Sequence, residues 1–211
     1  MTIQPGDKNM AVPQSTVYMD PAQRHQIQSA FKALNRFMVL MWRLGLGRFI
    51  NIAPRYAGQI MVLVHTGRKS GLKRRTPVNY AIVDGVVYCT AGFGPVSDWY
   101  RNLKVHPEIE LWLPDSRWQA LASEVMDPAL RLTLVRQVLI GSGFAAYLAG
   151  INPHTMSDEA LAQATADYPV LRLDRRSRLD ESADLAWVWL PIAGIAGLVW
   201  LGCNSVRRRR V

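Results

Sequence analysis

QIMVLVHTGRKSGLKRRTPVNYAIVDGVVYCTA, from Gln59 to Ala91, decides the fold. Gln59–His65 is an apolar, β-branched run of strand length. Val78–Val83 and Val86–Ala91 are two more, separated only by Asp84-Gly85. An Asp-Gly pair between two such runs marks a two-residue hairpin. Between the first and second runs lies TGRKSGLKRRTP, which reads as a polar loop. Consecutive strands joined by turns, with no intervening helix, point to antiparallel pairing.

Working outward, the Gly- and Pro-rich residues after Ala91 lead into SDWYRNLKVHP, a short helix. Ser97 is its expected N-cap, Asp98 favours its positive end, and Pro107 stops it. Glu108–Leu113 and Arg117–Val125 are two further strands, linked by Pro114-Asp115-Ser116. A helix is expected from Pro128 to about Ala149, capped by Asp127. Residues 150–167 read as loop with a short helix starting near Ser157, and Tyr168–Leu173 as a last strand. Short strands, hairpins and no βαβ alternation predict an α+β chain built on a small antiparallel barrel with flanking helices.

On the N-terminal side, residues 1–20 read as a flexible lead-in. Residues 21–52 hold an amphipathic helix, with Asp20 as its N-cap, Pro21 in the first turn, and Gly45 and Gly47 at its end. Its apolar face includes Phe37, Met38, Met41 and Trp42 and is edged by cations. That pattern suits a helix packed on its own domain and equally one lying in an anionic headgroup layer. Residues 53–180 complete the barrel domain.

The chain of 211 residues is 49% hydrophobic and 19% charged, which suits one packed domain with appendages. A net charge of +9 attracts anions. Five cations fall between Arg68 and Arg75, and four more form the run Arg207–Arg210. Cys89 and Cys203 give no disulfide framework, and the four histidines show no ligand spacing, so no metal site is expected. MTIQPGDKNM lacks the basic start and apolar stretch of a secretory signal, so the barrel is expected on the cytoplasmic side.

The loop from Thr66 to Pro77 carries the chemistry. Gly67 and Gly71 let the backbone turn tightly, Arg68 and Arg74 offer forked donors, and Lys69 offers a mobile charge. Ser70 and Thr76 add hydroxyls, and together these suit a phosphate. The spacing of a P-loop is absent, as is GxGxxG. A solvated basic hairpin tip and a nucleic-acid patch use the same residue types. No aromatic residue lies between the cations, as single-strand binders have, so no nucleic-acid partner is expected.

With VLVHTGRKSGLKRRTPVNYAIVDGVVYCTAGFG from Val62 to Gly94, followed by SDWYRNLKVHPEIELWL from Ser97, the sequence resembles the deazaflavin-dependent nitroreductase family. That family is also described as coenzyme F420-dependent quinone reductases. The resemblance covers Ile60 to Asp127 and continues more weakly to Leu173. It implies a split antiparallel β-barrel, and coenzyme F420 as cofactor ahead of FMN. The coenzyme has a phosphodiester and a glutamate tail, for which several cations are needed. By this resemblance Arg68, Lys69, Ser70, Arg74, Thr76 and Pro77 hold the anionic part, and Ala91 and Gly92 lie beside the ring. Trp99, Tyr100 and Asn102 close the pocket.

The implied activity is hydride transfer to a lipophilic acceptor, a quinone or a nitro compound, with Tyr80, Tyr100 and Tyr147 as candidate proton donors. Some members carry three tyrosines in the later helix, where this chain has Gly141, Phe144 and Tyr147. The main alternative is a non-catalytic barrel that holds flavin, haem or lipid at a membrane. A homodimer is compatible with either.

Leu185–Cys203, LAWVWLPIAGIAGLVWLGC, is uncharged over 19 residues. At about 1.5 Å per residue it spans roughly 28 Å as a helix, enough for a bilayer core. Trp187, Trp189 and Trp200 lie near its ends. A transmembrane helix is therefore expected at 185–203, followed by a basic tail at 204–211. The barrel would then be anchored at the cytoplasmic face of the cell membrane.

Overall fold

The computed structural model describes residues 33–51, 58–180, 185, 188 and 189. The chain divides into two compact units, Met1–Leu34 and Asn35–Val211. In the first, only residues 33 and 34 are described, both helical. The expected lead-in at 1–20, the start of the helix at Pro21 and the basic tail lie outside the described residues. Almost all of the 185–203 segment does too. Among the described residues no helix is long and apolar enough to cross a membrane.

The larger unit opens in helix, residues 35–43 (α1), and a four-residue helix, Gly47–Ile50 (α2), follows. Helix α1 thus ends before the glycine pair as expected, with Gly45 at φ 82°, and a separate short helix starts at Gly47. Six strands follow: β1 Ile60–Thr66, β2 Lys73–Val83, β3 Val86–Thr90, β4 Glu108–Leu113, β5 Ser116–Glu124 and β6 Val170–Leu179. Helices α3 Asp98–Val105, α4 Pro128–Gly141, α5 Phe144–Leu148 and α6 Asp158–Ala164 lie between them. The strands close into an antiparallel barrel in the order β1-β2-β3-β6-β5-β4. The hairpin turn is where the sequence places it, with Asp84 and Gly85 both at positive φ, 49° and 78°.

Strand alternation sorts the side chains into separate cores. Met61, Leu63, Tyr80, Val87, Leu111 and Leu173 fill the barrel. Outside β2 and β3, Ala81 and Tyr88 pack against Leu134, Val135 and Val138 of α4. Outside β1 and β4, Val62, Val64 and Trp112 pack against Trp42 of α1. β1 is thus covered on both faces, which explains its unbroken apolar run.

Three elements differ from expectation. The last strand, expected to end at Leu173, runs on to Leu179 because its second half pairs with β5. β2 starts at Lys73, because β1 and β2 pair from Ile60↔Asn79 through Thr66↔Lys73. Ladder hydrogen bonds outweigh the cost of aligning three cations and a proline. The helix expected through Ala149 stops at Gly141, and Gly143 at φ 55° turns the chain into α5. Asp127 caps α4 as expected, accepting from Ala129 N and Leu130 N at 2.9 and 3.1 Å. Ser157 caps α6 through Ala160 N at 3.2 Å. Ser97, the other expected cap, makes no side-chain capping bond.

Gly141 sits where α4 touches β2: a Cβ there would lie 2.6 Å from the Tyr80 carbonyl oxygen. Backbone cannot swing aside as a side chain can, so no larger residue fits. Gly141→Ala should lower unfolding free energy by about 1–3 kcal/mol through overpacking. An unchanged urea midpoint at constant m-value would show that this contact is not tight.

Candidate functional site

β1 ends on His65 and Thr66, and residues 67–72 turn the chain into β2. Gly67 N donates to Leu72 O at 2.9 Å, and Gly71 N to Gly67 O at 2.8 Å. The tip leans over the first turn of α3. Between the two lies a cleft of about 500 Å³ whose walls include Arg68, Lys69, Ser70, Arg74, Arg75 and Thr76. Trp99 and Asn102 of α3 form the other side, with His65 and Gly67 also lining it. Asp98 is the only carboxylate among the lining residues, so the cleft has a strong positive field.

The tip is fastened to α3 by the side chains of Asn102 and Asp98. Asn102, 6% exposed, accepts at Oδ1 from Arg68 N at 3.1 Å and from Arg68 Nη1 at 2.9 Å. The same guanidinium donates through Nη1 to Asp98 O at 3.2 Å and through Nη2 to Asp98 Oδ1 at 2.9 Å. The hydrogen bond from Arg68 holds the Asp98 carboxyl below its ordinary value. Asp98 thus anchors a cation and does not cap its helix.

With Oδ1 fully used, Asn102 Nδ2 must face His65 Nδ1, 3.3 Å away, and donate to it. The imidazole proton is then on Nε2, which donates to Thr76 Oγ1 at 3.0 Å. Burial, with the positive charge of Arg74 acting in the same direction, lowers the His65 pKa from 6.5 to about 4. The ring is therefore neutral at pH 7, as the two bonds require.

Strand pleating divides the cations of β2. Arg74, opposite His65, and Thr76, opposite Leu63, alternate with Arg75. Arg75 lies outside the barrel, 5.3 Å from the ring centroid of Trp112, with Arg117 at 4.1 Å from the same centroid. Lys73 pairs with Glu110 at 2.7 Å and does not line the cleft.

Of the expected cofactor residues, Arg68, Lys69, Ser70, Arg74, Thr76, Trp99 and Asn102 line the cleft. Pro77, Ala91, Gly92 and Tyr100 do not. Ala91 is buried in the barrel, Gly92 is exposed, and Pro77 pairs with Val62 in the ladder. The three candidate proton donors are also elsewhere. Tyr80 packs inside the barrel. Tyr147 is half exposed on α5. Tyr100 donates its hydroxyl to Glu124 Oε2 at 2.8 Å, an oxygen also held by Lys104 Nζ at 2.9 Å. Burial and then that bond raise the Tyr100 pKa; burial pushes Glu124 up, but the Lys104 and Tyr100 bonds outweigh it.

Sequence reasoning missed His65 as a cleft residue and read Asp98 only as part of a helix end. The signal for His65 was available: it continues the inward set Met61, Leu63 as the one polar member. A histidine whose pKa is depressed in the native state takes a proton more readily when unfolded. Its contribution to stability is full above pH 6.5 and is lost as pH falls towards 4. About 3 kcal/mol should disappear over that window, and His65→Gln should remove this part of the pH dependence in urea melts. Equal pH dependence in both proteins would exclude His65 as the source.

A family model described as F420H(2)-dependent quinone reductase matches residues 45–153, a little over half of the chain. No curated protein matches the sequence. Among solved structures, an F420-H2 dependent reductase is similar at 20% identity and a TM-score of 0.40, over 55% of this chain and 94% of that one. A conserved hypothetical protein from Mycobacterium tuberculosis matches at 19% and 0.43, over 58% and 76%. The heme storage protein HutZ from Vibrio cholerae matches at 16% and 0.39, over 56% and 82%. With the TGRKSG tip and the WYxNL helix forming one cleft inside the matched span, the chain belongs to the F420H(2)-dependent quinone reductase family, whose cofactor is coenzyme F420.

Proposed function

We propose that this protein is a membrane-apposed reductase that passes hydride from reduced F420 to a lipophilic acceptor, a quinone ahead of a nitro compound. The observation that carries it is the cation-lined cleft between the hairpin tip and the Trp99 helix. Its donors fit a coenzyme bearing a phosphodiester and carboxylates: four cations, two hydroxyls, and a single carboxylate already tied to Arg68. A Cβ on Gly67 would stand 2.8 Å from Ser70 Oγ, so glycine there keeps the hydroxyl side open.

When bound, the reduced deazaflavin supplies the hydride. The chain's own share is to bind, orient and exclude water. Arg68, pinned by Asn102 and Asp98, holds its charge and its remaining N–H donors in place for an anionic oxygen, and Lys69 and Arg74 add charge that adapts to it. The indole of Trp99 forms part of the opposite wall. No tyrosine hydroxyl lines the cleft, so the proton that completes quinone reduction is assigned to solvent.

Support for a quinone comes from the family description. Support for a lipid-soluble one comes from the exposed Phe37 and Leu40 on α1 and from the 19 uncharged residues starting at Leu185. We assign that segment as a single-pass anchor at the cytoplasmic face of the cell membrane.

Two experiments test the reading. Arg68→Ala combined with Lys69→Ala should weaken binding of reduced F420 roughly 100-fold or more, since charge-assisted bonds contribute about 1.5–3 kcal/mol each. F420-dependent reduction of menadione should fall with it; undiminished turnover in the double variant overturns the cleft as the cofactor site. Tyr100→Phe should cost about 1 kcal/mol of stability, one hydrogen bond, and leave turnover within twofold. A large loss of kcat at unchanged KM would instead return the proton to Tyr100.

A further inference from the structure

Helix α1 lines a second, smaller cavity. Asn35, Arg36, Val39, Leu40 and Arg43 lie on one side of the helix and, with Arg75 of β2, enclose about 240 Å³. Three of the six lining residues are arginines and none is acidic. Guanidinium groups stay charged at any physiological pH, and their planar forks match phosphate oxygens. The cavity is therefore an anion cup, with Val39 and Leu40 as its apolar wall.

The surroundings select the kind of anion. Leu40 is 45% exposed and Phe37 58% exposed, an apolar surface beside a cationic cup. Trp189 Nε1 donates to Leu44 O at 2.9 Å and Leu185 N to Arg43 O at 3.0 Å. The uncharged run of the sequence therefore begins at the C-terminal end of this same helix. A free phosphate or a carboxylate tail makes no use of exposed phenyl and isobutyl groups. An amphiphile with a phosphodiester does: its head meets the arginines and its chains meet Phe37 and Leu40.

We propose that the Arg36–Arg43–Arg75 cup binds the phosphodiester headgroup of an anionic phospholipid, and that Arg75, which lines both this cup and the cofactor cleft, is shared between them. The assignment rests on the membrane-apposed reading of the protein. It adds that the contact is a site for one headgroup class and not diffuse adsorption.

The full-length protein in dodecyl maltoside micelles is offered equal amounts of phosphatidylglycerol and phosphatidylcholine, and retained lipid is counted by native mass spectrometry. A preference of tenfold or more for phosphatidylglycerol is expected. Arg36→Glu with Arg43→Glu should abolish it, while Arg176→Glu with Arg178→Glu, an equal charge change on exposed β6, should keep it. No preference in the parent protein, or equal loss in both variants, overturns the proposal. So does glycerol 3-phosphate binding as tightly as the lipid, which would make the cup a site for soluble phosphates.

The cofactor tail is tested separately by titrating F420 with and without its glutamates. Arg36→Glu with Arg43→Glu should bind both forms within twofold of the parent and turn over menadione normally. Selective loss of the long-tailed form reassigns the cup to the cofactor and sinks the lipid. Normal F420-dependent turnover without lipid preference removes this inference and leaves the reductase reading standing.

Discussion

The Asn102 carboxamide is the tie on which the site depends. It bonds both to the hairpin tip, through Arg68, and to the barrel mouth, through His65. Each amide position has a single role: the oxygen takes two donors from Arg68, and the nitrogen fixes the His65 tautomer. A buried carboxamide with both ends satisfied is worth more than the sum of its bonds, because losing one partner strands the others. The basic tip is therefore held against α3 and does not splay into solvent. A cleft exists because of that tie.

The barrel supplies the frame. Its closed order leaves β1 covered inside by the barrel core and outside by Trp42. The strand that delivers His65 is thus among the most buried in the molecule, and its end is a firm base for a binding loop. α4 covers another outer face through Leu134, Val135 and Val138. Arg131 and Arg136 on that helix reach the carbonyls of Thr165, Tyr168, Pro153 and Met156, fastening the segment around α6.

Much of this was legible in the sequence because the signals were local. Asp84-Gly85, the cap Asp127 and the alternating apolar runs each specify their own geometry, and the six strands follow. The basic loop announced the cations that line the cleft, and the WYxNL segment named the helix facing them. What was not legible depends on pairing. Nothing in KRRTP favours a strand until β1 lies beside it, so β2 was read five residues short. The same register decides that Arg74 and Arg75 face opposite ways. Tyr80 and Tyr100 have suitable chemistry, and only packing shows one inside the barrel and the other spent on Glu124. Gly141 looked like a missing tyrosine; contact with the Tyr80 carbonyl leaves no room for one.

The ladders also leave two half-strands paired on one side only. Among the described residues, β3 meets β2 only over Tyr80–Val83, so Lys73–Asn79 pairs with β1 alone; β3 meets β6 only over Val170–Leu173, so the rest of β6 pairs with β5 alone. Bare strand edges invite pairing with another chain, and proteins blunt them with charge and proline. Here one edge bears Lys73, Arg74, Arg75 and Pro77, the other Arg175, Arg176 and Arg178. On β2 the charge of Arg74 and Arg75, which also lines the cleft, thus doubles as a guard against sheet-to-sheet aggregation, while on β6 the arginines serve as that guard alone.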